Sequence, residues 1–372
     1  MTTLFFVAGE RSGDTHGAGL VRAIRRQAPE IHCEGLGGSL MEAAGMTLRH
    51  DLAGQGIMGF TEVLKHILPI RRLFYETLDH LRKTRPACLV LIDYPGFNIR
   101  LAKAVDGLGI PVVYYISPQV WAWKKKRIHT LARYVRKMLV IFPFEEELYR
   151  EVGLDTVYVG HPLLDYIESY TPTPLPRDGK LIGLLPGSRE QELRRLLPIM
   201  LATAKRLQAQ DPALHFITPC VNEARAEQVR AIAGDFPLEV RVDAMYDVLS
   251  QSHFCLVASG TATLETLMFG TPMLIMYKIS PLSYLLARLL VDIRYIGIVN
   301  ILAKKEIVPE FIQHKAAPER VAPVAWELIQ ESPARQKMLQ ELVAQRETLG
   351  AGGASDRAAA EILALIQGTA HG

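Results

Sequence analysis

Residues 254–278, FCLVASGTATLETLMFGTPMLIMYK, constrain this chain more than any other stretch. An apolar run at 254–258 meets the small-residue turn Ser259-Gly260-Thr261. A helical pattern follows to Phe269, then Gly270, Pro272 and a second apolar run at 273–277. The order is strand, tight turn, helix, strand, with Gly and Pro ending the helix. The first amides of a helix have no partner within it, and small residues let an anionic group approach those N–H donors closely. A diphosphate fits such a turn. Glu265 lies about one helical turn further on, where a carboxylate can accept two hydrogen bonds from a ribose diol. The competing reading makes Glu265 half of a capping box, but the residue three before it is Ala262, which cannot cap.

The same alternation runs through the rest of the chain. Apolar strand-like runs occur at 4–8, 31–36, 87–92, 111–116, 137–141 and 156–159, and again at 181–185, 214–218 and 238–242, with helical patterns between them. Strands alternating with helices imply parallel sheets covered on both faces. At 372 residues the chain is long for one core, and the Ser-, Thr- and Pro-rich stretch 169–180 reads as a linker. The expected organisation is therefore α/β: a first domain over 1–168, the linker, and a second domain over 181–350.

Polar residues at the strand ends carry the candidate chemistry. Ligands of open α/β sheets gather beyond the carboxyl ends of the strands, which places Asp93, in Asp93-Tyr94-Pro95-Gly96-Phe97-Asn98, well for chemistry. Asn98 reads as the cap of the following helix. The first strand opens into Gly9-Glu10-Arg11-Ser12-Gly13-Asp14-Thr15-His16-Gly17, read as a glycine loop ahead of a helix carrying Leu20, Val21 and Ile24. Its glycines recur every four residues, so the G-x-G-x-x-G dinucleotide fingerprint fails; a substrate-admitting loop and a loop needing positive φ both remain open. Pro186-Gly187-Ser188-Arg189 sets a permanently charged, five-donor guanidinium at another strand end, where a diphosphate could lie. No Asp-x-Asp pair and no His or Cys cluster has ligand spacing, so no metal and no cofactor is expected.

Composition limits the partners. A net charge of +3 is too weak for a general nucleic-acid binder. Hydrophobic residues at 49% and a mean hydropathy of +0.12 lean apolar and point to a lipid contact. The longest apolar segment, 281–303, is interrupted by Arg288, Asp292 and Arg294, short of the ~18 residues of a spanning helix. Nothing at the N-terminus resembles a secretory signal. Cys33, Cys88, Cys220 and Cys255 lie far apart beside apolar runs and read as buried free thiols. Two stretches suit a bilayer interface. One runs from Met58 through Val63, Ile67 and Leu68, with basic neighbours, although an amphipathic helix of that kind equally packs on a core. The other is Trp121-Ala122-Trp123-Lys124-Lys125-Lys126-Arg127, two indoles beside four cations.

Nine motifs, AGERSGDTHGA, GIMGFTEVL, IDYPGFN, YYISPQVWAWKKKR, FPFE, VGHPL, LLPGSR, ASGTATLE and VNILA, occur in an order and at a spacing that resemble the lipid-A-disaccharide synthase family over nearly the whole chain. The resemblance implies two Rossmann-like parallel-sheet domains facing a cleft, the GT-B type. It implies an inverting transfer from UDP-2,3-diacylglucosamine to 2,3-diacylglucosamine 1-phosphate, giving a β-1,6 disaccharide and UDP. That is a step of lipid A synthesis in Gram-negative bacteria, at the cytoplasmic face of the inner membrane. His16 departs from the aliphatic residue usual there, and the linker is short.

On this reading Asp93, or else Glu10, takes the acceptor's proton. Ser188, Arg189, Ser259, Gly260 and Thr261 hold the diphosphate, Glu265 the ribose, and Asn300, in the VNILA motif, adds to the nucleotide site. Lipid substrates anchored in the bilayer make peripheral membrane association the expectation, with Met58, Val63, Ile67, Leu68, Trp121, Trp123, Lys124, Lys125 and Arg127 as contacts. The C-terminal helix, 355–367, is expected to pack back on the first domain or on a partner's, the latter making a homodimer. The rivals are another GT-B enzyme on a UDP-N-acetylhexosamine (a 2-epimerase or a transferase to a soluble acceptor), a catalytically idle nucleotide-sugar binder, and an NAD-dependent dehydrogenase, which the glycine spacing disfavours.

Overall fold

The computed structural model describes residues 2–53, 67–121, 126–175, 180–281, 284 and 294–369. The chain divides into two units, Met1–Glu168 with Leu349–Gly372, and Ser169–Thr348. Each is built on one parallel sheet.

In the first unit the strands are β1 (Thr3–Ala8), β2 (His32–Gly37), β3 (Thr47–Asp51), β4 (Cys88–Ile92), β5 (Val112–Tyr115), β6 (Lys137–Val140) and β7 (Thr156–Tyr158), in the order β3-β2-β1-β4-β5-β6-β7. In the second they are β8 (Leu181–Leu185), β9 (His215–Cys220), β10 (Leu238–Val242), β11 (Phe254–Ala258), β12 (Met273–Tyr277) and β13 (Glu310–Ile312), in the order β10-β9-β8-β11-β12-β13. Both sheets start in the middle, run outward one way, return and continue the other way. The direction of winding breaks between β1 and β4, and between β8 and β11. β4, β8 and β11 are buried at every position, as continuous apolar runs covered on both faces must be. Each fully buried large apolar side chain contributes about 1.5–3 kcal/mol to this arrangement.

Two local expectations are corrected, and one left open is decided. The stretch 9–17 is not a loop: the helix Arg11–Gln27 starts at its second polar residue. None of Gly9, Gly13 and Gly17 has a positive φ. Close packing explains two of them, since a Cβ at Gly17 would stand 2.6 Å from Met41 Sδ and one at Gly9 2.2 Å from Tyr94 Cδ1. Asp14 is buried and accepts the amides of Gly38, Leu40 and Met41 at 2.9, 3.1 and 3.0 Å, so it caps the short helix Ser39–Ala43. Asn98 caps nothing; the helix Pro95–Ala104 opens three residues earlier, with Asn98 buried inside it. In the helix Ile67–Thr84, Ile70, Leu73 and Phe74 pack on the first core, whereas Leu68 is exposed.

The four cysteines are buried and free. The stretch after Glu168 packs on the second unit: Asp247 Oδ1 accepts Tyr170 Oη at 2.8 Å and Thr173 N at 2.6 Å. After Thr348 the chain rejoins the first unit, where Asp165 caps the helix Ala354–Thr369 by accepting Gly353, Ala354 and Ser355 amides at 2.6, 3.0 and 2.9 Å. That helix buries Ala358, Ala359 and Ile362, and Arg357 Nε donates to Val159 O at 2.8 Å.

Candidate active site

Parallel sheets of this kind bind ligands where the winding reverses, because the loops on either side diverge and leave a crevice. In the first unit that point falls between β1 and β4, which pair Ala8 with Ile92. Glu10 follows one strand and Asp93 the other. Asp93 and Tyr94 take φ of 44° and 47°, successive left-handed residues with no glycine. Such residues cost of order 1–3 kcal/mol each and persist only where neighbours over-determine them. Here the carbonyl of Asp93 accepts Asn98 Nδ2 at 2.7 Å and Tyr114 Oη at 2.6 Å. The Tyr94 ring lies against Gly9 and stacks on Phe97 at 6.1 Å. Burial first, then the charge of Glu10, push the Asp93 carboxyl up to about 7, against a hydrogen bond from the Tyr94 amide.

Beside Asp93 lies a cavity of about 230 Å³ whose lining includes Ser117, Gln119, Arg127, Phe142 and Glu145. Ile116, on its wall, has φ of 65°, an outlier for a β-branched residue. Glu145 was not among the residues singled out from sequence. It is 1% exposed, and its carboxylate accepts Ser117 Oγ at 2.6 Å, Trp121 Nε1 at 3.3 Å and Phe142 N at 3.3 Å. Burial raises it to about 7, with those hydrogen bonds opposing. Phe142-Pro143-Phe144-Glu145 is one of the nine motifs, but the only local signal in it is a Pro opening a helix with a Glu two residues later, which reads as an ordinary cap. At the same carboxyl edge His16 and His161 meet edge to face with centroids 6.0 Å apart. Burial lowers His16 to about 4, against the charge of Asp165, and takes His161 well below the usual range.

The expected membrane contacts divide. Met58, Val63, Trp123, Lys124 and Lys125, and the side chain of Ile67, lie outside the described residues. Leu68 is 72% exposed. Trp121 is half-buried, with its N–H on Glu145 and its ring against Phe144 at 5.5 Å, and Arg127 lines the cavity.

In the second unit the winding reverses between β8 and β11, paired at Leu185 and Val257. Ser188 and Arg189 follow β8; Ser259, Gly260 and Thr261 follow β11, so the sheet brings these five residues to one edge. Gly187 turns the first loop at φ 100°, and exposed Arg189 rests its guanidinium on Glu192 Oε1 at 3.0 Å. Gly260 precedes the helix Thr261–Met268, and a Cβ there would meet nothing within 4 Å, so the space before the helix amides is open. Ser259 Oγ donates to Ile296 O at 3.2 Å. Glu265 accepts Tyr246 Oη at 3.2 Å, and burial raises its carboxyl above the usual range.

Asn300 is placed differently. Fully buried, it donates to Val308 O at 2.7 Å and Glu310 Oε1 at 2.8 Å, and accepts the amides of Ile307 and Val308 at 2.8 and 3.0 Å. Glu310 in turn accepts the amides of Ile296 and Gly297, both at 2.9 Å. The Asn300 amide is fully engaged inside the protein, where it and Glu310 tie down the segment that receives Ser259. Among the described residues no group of three or more His, Cys, Asp or Glu could hold a metal ion.

Two parallel sheets, each with chemistry at its reversal, make this a two-domain α/β protein of the GT-B glycosyltransferase type. Solved structures agree on the fold: the S. aureus MnaA-UDP structure matches with TM-score 0.71 at 14% identity, over 99% of this chain and 98% of that one. A glycotransferase of kitacinnamycin matches with TM-score 0.68 at 15% identity, over 98% of both chains. The sequence is closer to a different group. The LpxB family, lipid-A-disaccharide synthetase, matches residues 4–365, and a lipid-A-disaccharide synthase from Syntrophus aciditrophicus is 41% identical over 98% of both chains. The chain belongs to the lipid-A-disaccharide synthase family. It is an enzyme, a glycosyltransferase of lipid A disaccharide synthesis.

Proposed function

We propose that this enzyme joins UDP-2,3-diacylglucosamine to 2,3-diacylglucosamine 1-phosphate by a single inverting displacement, releasing UDP. The acceptor's 6-hydroxyl oxygen bonds to the donor's anomeric carbon as the bond from that carbon to the diphosphate oxygen breaks. The proton passes to Asp93, and the electron pair leaves on UDP. Asp93 carries this reading: a carboxyl held near 7 at a sheet's reversal is matched to a general base working near neutrality. Glu10 contributes by raising it. Ser188, Arg189 and the Gly260 and Thr261 amides meet the growing charge on the diphosphate, Ser259 shapes that turn, and Glu265 takes the ribose diol. The guanidinium and helix amides suffice for the leaving group, so no metal or cofactor enters.

The test is to incubate purified enzyme with both substrates and follow UDP and product by mass. Equal UDP and disaccharide is the expected result. UDP without disaccharide, or conversion of a UDP-N-acetylhexosamine to its epimer, would overturn the reading.

The acyl chains of both substrates call for peripheral association with the cytoplasmic face of the inner membrane. Among the described residues no helix is long and apolar enough to cross a membrane. In support, the helix Ile67–Thr84 exposes Leu68 and Tyr75, at 72% and 52%, with Arg71 and Arg72 on the intervening turn. Lys124 and Lys125, outside the described residues, would add cations from the Trp- and Lys-rich motif. Binding to anionic liposomes should fall with added salt and with Leu68→Glu; binding insensitive to both would remove this contact. A homodimer through the C-terminal region would exchange the helix Ala354–Thr369, and a molecular mass equal to one chain at all concentrations would exclude it.

A further inference from the structure

We propose that the cavity beside Asp93 seats the sugar ring of the acceptor and that Arg127 reads the acceptor's anomeric phosphate, making it the residue that tells acceptor from donor. This rests on the functional reading above. In that reaction both substrates carry the same diacylated glucosamine and differ at the anomeric position, a monophosphate on one and a nucleoside diphosphate on the other. An acceptor seat has to distinguish them by that group.

The cavity suits the task. At about 230 Å³ it is smaller than the roughly 300–1,000 Å³ of pockets for drug-sized ligands, so it takes one polar ring and leaves the acyl chains outside. Phe142 and Ile116 give it an apolar wall for a ring face, while Ser117 and Gln119 supply polar groups. Among the described residues Arg127 is the only cation in the lining. Tyr114, whose hydroxyl donates to the Asp93 carbonyl, feels the charges of both Asp93 and Arg127. Asp93 and Arg127 share the lining, so a ring seated there would offer its hydroxyl to one and its phosphate to the other. A guanidinium forks onto phosphate oxygens in a way that an ammonium cannot. Glu145 is a positioning residue, holding Ser117 and Trp121, and with them this wall, through its hydrogen bonds.

The test compares the full-length enzyme with Arg127→Gln and Arg127→Lys on two acceptors, 2,3-diacylglucosamine 1-phosphate and the same sugar without phosphate, presented in neutral detergent. Arg127→Gln should raise KM for the phosphorylated acceptor about 10- to 100-fold, the loss of one charge-assisted pair, with kcat within a few-fold. Its KM for the donor and its activity on the phosphate-free acceptor should match wild type. Arg127→Lys should fall between the two. Equal losses on both acceptors, or no loss on the phosphorylated one, would overturn the assignment. So would a loss seen only when anionic vesicles replace the detergent, because Arg127 would then be binding lipid headgroups. If Arg127→Gln does not fold, Arg127→Lys decides by the same criterion, its loss being confined to the phosphorylated acceptor or not. Wild-type enzyme that makes no disaccharide from either acceptor would instead remove the functional reading.

Discussion

At the break between β1 and β4 the chain places two carboxylates, Asp93 on a strained backbone and Glu10 on an extended one; at the corresponding break between β8 and β11 it places a guanidinium, an open glycine and the first amides of a helix. The strand order around the two breaks is the same, so topology selects the place and not the chemistry. What differs is the local electrostatics. In the first unit, burial and a like-charged neighbour destabilise the carboxylate of Asp93; in the second, helix N–H donors and a guanidinium would favour an anion. The comparison is broken most directly at Asp93. Asp93→Asn should lower turnover ~10²- to 10⁴-fold, as expected for loss of a general base, while UDP affinity stays at the wild-type value. Near-normal turnover would take Asp93 out of the mechanism, and a parallel loss of UDP affinity would mean that the two breaks do not divide the work.

The second break is tested by Glu265→Ala. Removing a carboxylate that accepts two ribose hydroxyls should weaken UDP about 10-fold or more by calorimetry, with turnover at saturating donor changed less. Unchanged affinity would show that Glu265 serves only its bond with Tyr246.

How much of this was legible depended on whether a feature is local in the chain. The parallel sheets, the turn at 259–261 and the placing of Asp93 at a strand end follow from apolar runs and turn residues, which act over a few positions. Gly9 and Gly17 were visible but misread, because their reason is contact with Tyr94 and Met41, far along the sequence. Asn98 looked like a cap for the same reason: nothing nearby shows that its amide reaches Val7 O, Ile92 O and Asp93 O at 3.4, 3.2 and 2.7 Å. Glu145 was hidden because burial in a cavity is a property of the assembled sheet, whereas a Glu near a helix start is common on any surface. Asn300 was found as part of a motif, yet its four hydrogen bonds within the protein could not be read from the motif.

The division within the first break, between Asp93 and Glu10, has a finer test. If Asp93 is the base, kcat/KM should rise with pH through about 7, since the carboxyl acts only once ionised. Glu10→Gln removes the neighbouring negative charge, making the Asp93 carboxylate easier to form, so the rising limb should move to lower pH with only a few-fold change in rate at neutrality. A limb that stays in place, or a loss as large as that of Asp93→Asn, would exchange the two roles.

The smallest effect concerns stability and again separates the units. His16 and His161 pack against each other at the carboxyl edge of the first sheet, and burial holds both below their usual range, His16 at about 4. In the unfolded chain a histidine titrates near ~6.5. Between those values the unfolded state binds the proton and the folded state does not, so the contribution to stability is complete above about 6.5 and is lost as pH falls toward about 4. The second unit has a similar group in His253, whose lowered value comes mainly from burial, but among the described residues no second histidine acts on it. His16→Leu, restoring the aliphatic residue expected at that position, should therefore leave the melting temperature near pH 8 almost unchanged. At pH 5 it should raise the melting temperature by about 2–4 °C, corresponding to about 1 kcal/mol in a domain of this size. An equal shift at both pH values would trace the effect to packing alone and detach the histidine pair from the acid sensitivity of the first unit.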